Sequence, residues 1–195
     1  MRKLLFLLLA GCLHVQAQGI VYMMDGTSVE VVKAAIDGNT ATLHFDEEGK
    51  KKDEVKVKKI LKIEMAGGER FVRAEGGKYK GYWIRIDTPD KKLVIVPYTM
   101  HASGVSGTSF SSGSTFQHIS TAVMDANGTI IAEEDITNTP TNKSRGKRKK
   151  TLEMIHKYFG GYASKIKDFP TPENGKDDDL SRVVWFLIRS IVTVT

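Results

Sequence analysis

The chain has 195 residues, 29 Lys and Arg against 23 Asp and Glu, and a formal net charge of +6 at pH 7. An apolar share of 41% supports a packed core and excludes a disordered or low-complexity chain. The single cysteine, Cys12, excludes an internal disulfide and a multi-thiolate metal centre.

Met1-Arg2-Lys3 precedes the uncharged apolar run 4–13. His14-Val15-Gln16-Ala17 then offers small residues at the −3 and −1 positions of a cleavage site. Residues 1–17 are therefore expected to be a secretory signal peptide, removed after Ala17. Leu9-Ala10-Gly11-Cys12 supports a competing reading, a lipoprotein box in which Cys12 carries the lipid. That leader is shorter than the roughly 15–30 residues usual for export, so cleavage after Ala17 is preferred. The expected location is the periplasm or cell surface, with an outer-membrane lipoprotein as the alternative. The run is shorter than the about 20 apolar residues a bilayer span needs.

Residues 18–77 are expected to form a small β-rich domain. Segment 20–24 is apolar and enters the turn pair Asp25-Gly26. Val29 and Val31 alternate with Ser28 and Glu30, the period of a half-buried strand. Asp37-Gly38-Asn39 is the next turn. Segment 40–45 puts Ala41, Leu43 and Phe45 on one face and Thr40, Thr42 and His44 on the other. A charged loop, 46–53, is expected before one long strand over 55–65. Gly67-Gly68 then turns the chain into Phe71 and Val72. This spacing predicts a small antiparallel barrel or a strongly curved sheet.

A Gly- and Lys-rich break over 75–80 is expected to separate this unit from an α+β domain over 78–195. The second unit begins with a strand at 82–86, the turn Thr88-Pro89-Asp90 and a short strand at 93–96. A flexible Ser/Gly-rich loop is expected over 102–115. Strands at 117–124 and 129–132 are joined at Asn127-Gly128. A polar connector over 133–150 is expected before a helix in which Leu152, Ile155 and Phe159 form a stripe that Gly160-Gly161 ends. Asp177, Asp178 and Asp179 are expected to precede and cap the last helix. Its apolar face comprises Val183, Val184, Leu187, Ile188 and Ile191, widened by Trp185 and Phe186. The fold class expected is α+β: a small antiparallel β-rich N-terminal barrel or curved sheet, then a mixed unit with C-terminal helices.

The opening signal, a strand ending in Asp25-Gly26-Thr27 and a lysine-rich strand pair are joined later by His156-Lys157-Tyr158-Phe159-Gly160-Gly161, Lys165-Ile166 and an acidic start to the final helix. In these features the chain resembles uncharacterised exported proteins of Bacteroidota-type bacteria. The resemblance implies export and an α+β layout, and it transfers no catalytic residue. Here Gly161-Tyr162 stands where those proteins carry a Cys-containing turn.

His44, His101, His118 and His156 lack metal-ligand spacing, so each reads as a satisfied or solvated imidazole. His101 and His118 flank the Ser/Gly loop and carry the enzyme alternative, a secreted hydrolase. Ser103, Ser106 and Ser109 lie among glycines without a nucleophile elbow or the Lys-Ser/Thr ending of a phosphate loop. Asp177–Asp179 lack calcium-loop spacing, and Asp25, Asp37 and Asp125 read as turn residues. No catalytic, metal or cofactor residue is assigned and no cofactor is expected. Lys143, Arg145, Lys147, Arg148, Lys149 and Lys150 form a basic cluster suited to an anionic surface. For an exported chain the opposite charge is lipid, glycan or a protein partner rather than nucleic acid. The function expected is a non-catalytic periplasmic or cell-surface binding and interaction module. A lipid-anchored envelope component acting through Cys12 is the third reading.

Overall fold

A computed structural model describes residues 18–102, 114–137, 142–170, 177–189 and 192–194. The signal segment 1–17 with Cys12, the loop serines at 103, 106 and 109, and Ile191 lie outside the described residues.

Twelve strands and two helices are described: β1 (Gly19–Met23), β2 (Ser28–Val31), β3 (Lys33–Asp37), β4 (Thr40–His44), β5 (Lys52–Lys56), β6 (Ile60–Met65), β7 (Arg70–Arg73), β8 (Gly81–Asp87), β9 (Lys91–Ala102), β10 (Ser114–Asp125), β11 (Ile130–Thr137), α1 (Asn142–Phe159), α2 (Asp177–Arg189) and β12 (Val192–Thr193). The larger sheet runs β11-β10-β9-β8-β7-β6-β1-β2, and β12 pairs in parallel with the far half of β8. A smaller antiparallel sheet has the order β3-β4-β5. Mixed α and β structure was expected and is present.

Of the two forms expected for the N-terminal unit, a barrel or a curved sheet, the closed barrel is not formed; both sheets are open. After Val31 the chain leaves the larger sheet, and the Val32 N–H donates to the His44 carbonyl of the smaller one (2.8 Å). The meander is thereby covered by a second layer instead of curling onto itself. Ile36, Ala41, Leu43 and Val57 join the same buried cluster as Val21, Ile63, Phe71 and Trp83. Phe71 and Trp83 meet edge to face at 5.4 Å.

The long strand expected over 55–65 is two strands in different sheets. A 3-10 turn, Val57–Lys59, divides them and buries Val57. The larger sheet passes through the expected division at 77/78, because β7 before it pairs with β8 after it, Phe71↔Trp83. The polar stretch expected as a connector is partly β11, which carries Glu133, Glu134 and Asp135, and partly α1, which takes in the basic cluster. Lys and Arg are good helix formers, so charge alone does not end a helix. The aspartates at 177–179 are the first turn of α2 rather than residues before it. Val183, Val184, Phe186 and Leu187 are buried on α2, whereas Trp185 is 56% exposed and Ile188 51%. Trp185 therefore does not widen the buried face.

Strand β9 is far longer than the expected 93–96. Its pairing with β10 is unbroken from Lys91↔Asp125 to Ala102↔Ser114. Its other edge pairs with β8 only as far as Ile95↔Trp83. Beyond that point the β3–β4 turn docks: Gly38 N–H donates to the Pro97 carbonyl (3.0 Å), and Thr99 N–H donates to Asp37 Oδ1 (2.7 Å). Nitrogen and carbonyl of a strand residue point the same way, so the absent N–H of Pro97 costs no strand-ladder bond.

Candidate functional site

Two features stand out, an apolar cavity and a polar network. The cavity has a volume of about 400 Å³, within the usual range for small-ligand pockets. Its floor is Ile95 and Pro97 of β9, Ile119 of β10 and Ile136 of β11, and α2 supplies Val184 and Ile188. Ile36 and Asp37 reach in from the smaller sheet, and Arg85, Tyr98, Thr99 and His118 complete the lining.

Arg85 is there because β8 is irregular. Ile84 pairs with Val94 and Ile86 with Leu93, which leaves Arg85 as the extra residue of a bulge. A bulge re-aims its side chain and bends its strand. Arg85 Nε donates to the Leu187 carbonyl in the last turns of α2 (2.7 Å), and Nη1 makes a longer bond to the Ile84 carbonyl (3.4 Å). Burial pushes the Arg85 pKa down; the Glu69 charge acts in the opposite sense. Among the described residues no carboxylate forms an ion pair with it.

Asp37 stands at Thr99, five residues along β9 from Val94, the pairing partner of Ile84. At about 3.3 Å per residue these two positions of β9 lie roughly 17 Å apart.

The network is built on Glu133. Its Oε1 accepts the hydroxyls of Tyr82 and Ser120, both at 2.8 Å, and its Oε2 accepts the Lys78 N–H at 3.1 Å. The Tyr82 oxygen in turn accepts the buried Tyr79 N–H (3.2 Å). Lys78 Nζ donates to Asp135 Oδ2 (2.8 Å) and lies 4.6 Å from the centre of the Tyr98 ring. Burial works against the Lys78 ammonium, but the Asp135 carboxylate outweighs it and holds the Lys78 pKa above the ordinary lysine value. Burial pushes the Tyr79 hydroxyl up to about 12, and it raises Tyr82 and Tyr98 as well.

His118 joins the two features. Its ring stacks on Tyr98 at 5.1 Å and its Nδ1 is buried without a hydrogen-bond partner among the described residues. Burial, followed by the Lys147 charge, lowers its pKa. His101 pairs with Thr115, three residues before His118 on β10. An odd separation in a pleated strand places positions 101 and 118 on opposite faces of the sheet. Ser120 is fully buried and its proton goes to Glu133.

The remaining sequence candidates are dispersed. His44 lines a separate open cavity beside Asp46, Glu47 and Glu48. His156 Nε2 binds the Pro170 carbonyl (2.5 Å) and fastens the segment after α1. Asp25 and Asp125 hold their own turns through Thr27, Asn127 and Thr129, whereas Asp37 binds across to β9. On α1, Arg145, Lys149 and Lys150 are exposed and Lys147 and Arg148 half-buried. At 100° per residue these five point to all sides of the helix. The Lys143 side chain and those of Asp177–Asp179 lie outside the described residues. No cluster of three metal-ligating side chains occurs among the described residues. No described helix is long and apolar enough to cross a membrane.

Sequence reading missed Arg85, Lys78, Glu133 and Asp135. One signal was available: Arg85 is the lone charge in Tyr82-Trp83-Ile84-Arg85-Ile86. Comparison with known protein families, with curated proteins and with solved structures finds no match.

Proposed function

We propose that this protein is an exported, non-catalytic binding module, and that its ligand site is the cavity between α2 and β9–β10. The observation that carries this reading is the cavity itself: an apolar trough of about 400 Å³ with a few polar groups at its margins. Such a composition orients a small amphipathic ligand. Export rests on residues 1–17, and the same proposal places the protein in the periplasm or at the cell surface. Lipid attachment at Cys12 and contact of Arg145, Lys149 and Lys150 with an anionic envelope surface are compatible additions. The hydrolase alternative, His101 or His118 near the Ser/Gly-rich loop, has less support, because positions 101 and 118 sit on opposite faces.

The test uses the neutral fluorescent probe N-phenyl-1-naphthylamine with the purified protein. Saturable one-to-one binding is expected. Ile188→Trp places bulk in the cavity from a half-exposed helix position and should weaken it about tenfold, or ~1.4 kcal/mol. Absence of saturable binding, or equal affinity in a variant with unchanged circular dichroism and melting, would refute the reading.

A further inference from the structure

We infer that the cavity takes an anionic amphiphile, a monocarboxylate with an unbranched apolar chain, and that Arg85 receives its head group. This rests on the binding-site reading above.

Arg85 is only partly satisfied by its partners in the chain. A guanidinium has five donors in a planar fork. Nε is committed to the Leu187 carbonyl and one Nη1 proton to the Ile84 carbonyl. The Nη2 edge makes no hydrogen bond to a described residue. Capping the end of α2 thus explains one edge of the side chain and leaves another for the cavity it lines. Glu69 acts on the guanidinium through space, but no described carboxylate pairs with it; a partly desolvated cation gains from a partner, and a carboxylate matches the open fork with parallel charge-assisted bonds. The bond to Leu187 also holds the fork in place, so little side-chain freedom is lost when the anion binds.

The rest of the wall selects the remainder of the ligand. Ile95 and Pro97 step along β9 away from the Ile84–Arg85 bulge, Ile119 and Ile136 continue from Pro97 across β10 and β11, and Val184 faces them from α2; this apolar wall suits a chain rather than a second polar group. Asp37, at the far end, would repel an anion placed beside it. Its anchor at Thr99 is five residues along β9 from Val94, so it opposes a reversed ligand more than the proposed one.

The experiment displaces N-phenyl-1-naphthylamine with decanoate or with decanol at pH 8. The two share a chain and differ in head group. Decanoate should compete at least tenfold better than decanol in the wild-type protein. In Arg85→Gln, whose amide can still reach the Leu187 carbonyl, that preference should fall to within about threefold, because losing one partner of a buried charge pair costs roughly thirtyfold or more in affinity. Equal competition by the two compounds in the wild type, or a preference that survives Arg85→Gln, overturns the head-group assignment and leaves the cavity reading intact. Failure of the neutral probe to bind overturns both. The wild-type comparison decides the matter even if Arg85→Gln does not fold.

Discussion

Glu133→Ala is the most informative perturbation of the fold. It removes the acceptor of two hydroxyls, those of Tyr82 and Ser120, each at 2.8 Å. Both residues are fully buried, so their hydroxyls depend on Glu133 for an acceptor. A buried polar group left unsatisfied costs about 1–3 kcal/mol. Two of them give a destabilisation of about 3 kcal/mol, within a range of roughly 2–5. The third bond, from the Lys78 N–H, is exposed and adds little. Domains of this kind are stable by about 5–15 kcal/mol, so the loss is a large share. Glu133→Gln keeps a carbonyl oxygen for the two hydroxyls and should cost only about 1 kcal/mol. Urea unfolding followed by tryptophan fluorescence measures both, and an unchanged m-value certifies that stability alone has moved. If Ala and Gln cost the same, or if Ala costs less than about 0.5 kcal/mol, the network does not stabilise the sheet as described.

Two further outcomes follow from the packing and from His118. Gly81→Ala would place a methyl group 2.5 Å from Phe71 Cε1 and 3.1 Å from the Val72 carbonyl. Phe71 is fully buried, so the variant should lose about 1–3 kcal/mol; a melting temperature equal to wild type would contradict the close approach of β7 and β8. His118 has a lowered folded-state pKa, so below the unfolded value of about 6.5 the unfolded chain binds more protons and stability falls as pH drops. His118→Gln should flatten that decline between about pH 7 and 5, and an identical pH profile in urea unfolding would show that His118 does not contribute to it.

Much of the local structure was legible in the residues. Alternation of Ala41 and Leu43 with Thr40, Thr42 and His44 marked both the strand and its inward face, and Gly26, Gly68 and Gly128 occupy turns with positive φ where that conformation favours glycine. Legibility failed where a polar residue is buried by its partners. Glu133 and Asp135 read as a loop because nothing local reveals that Tyr82, Ser120 and Lys78 will satisfy them. The lysine-rich segment 52–59 concealed a change of sheet at Val57 because its alternation continues through the turn.

Composition and periodicity by themselves determined the export signal to be tested, the mixed α and β character and the position of most turns, since these depend on neighbours within a few residues. Which strands pair, whether the sheet closes, and which charges meet were decided only in the tertiary structure. Glu133 lies 51 residues from Tyr82, and Arg85 lies 102 from Leu187. Contacts at such separations depend on register and bulges, which hydrophobic patterning does not encode. The bulge at Arg85 is the clearest case: one unpaired residue between Ile84 and Ile86 turns a strand charge into the wall of a cavity.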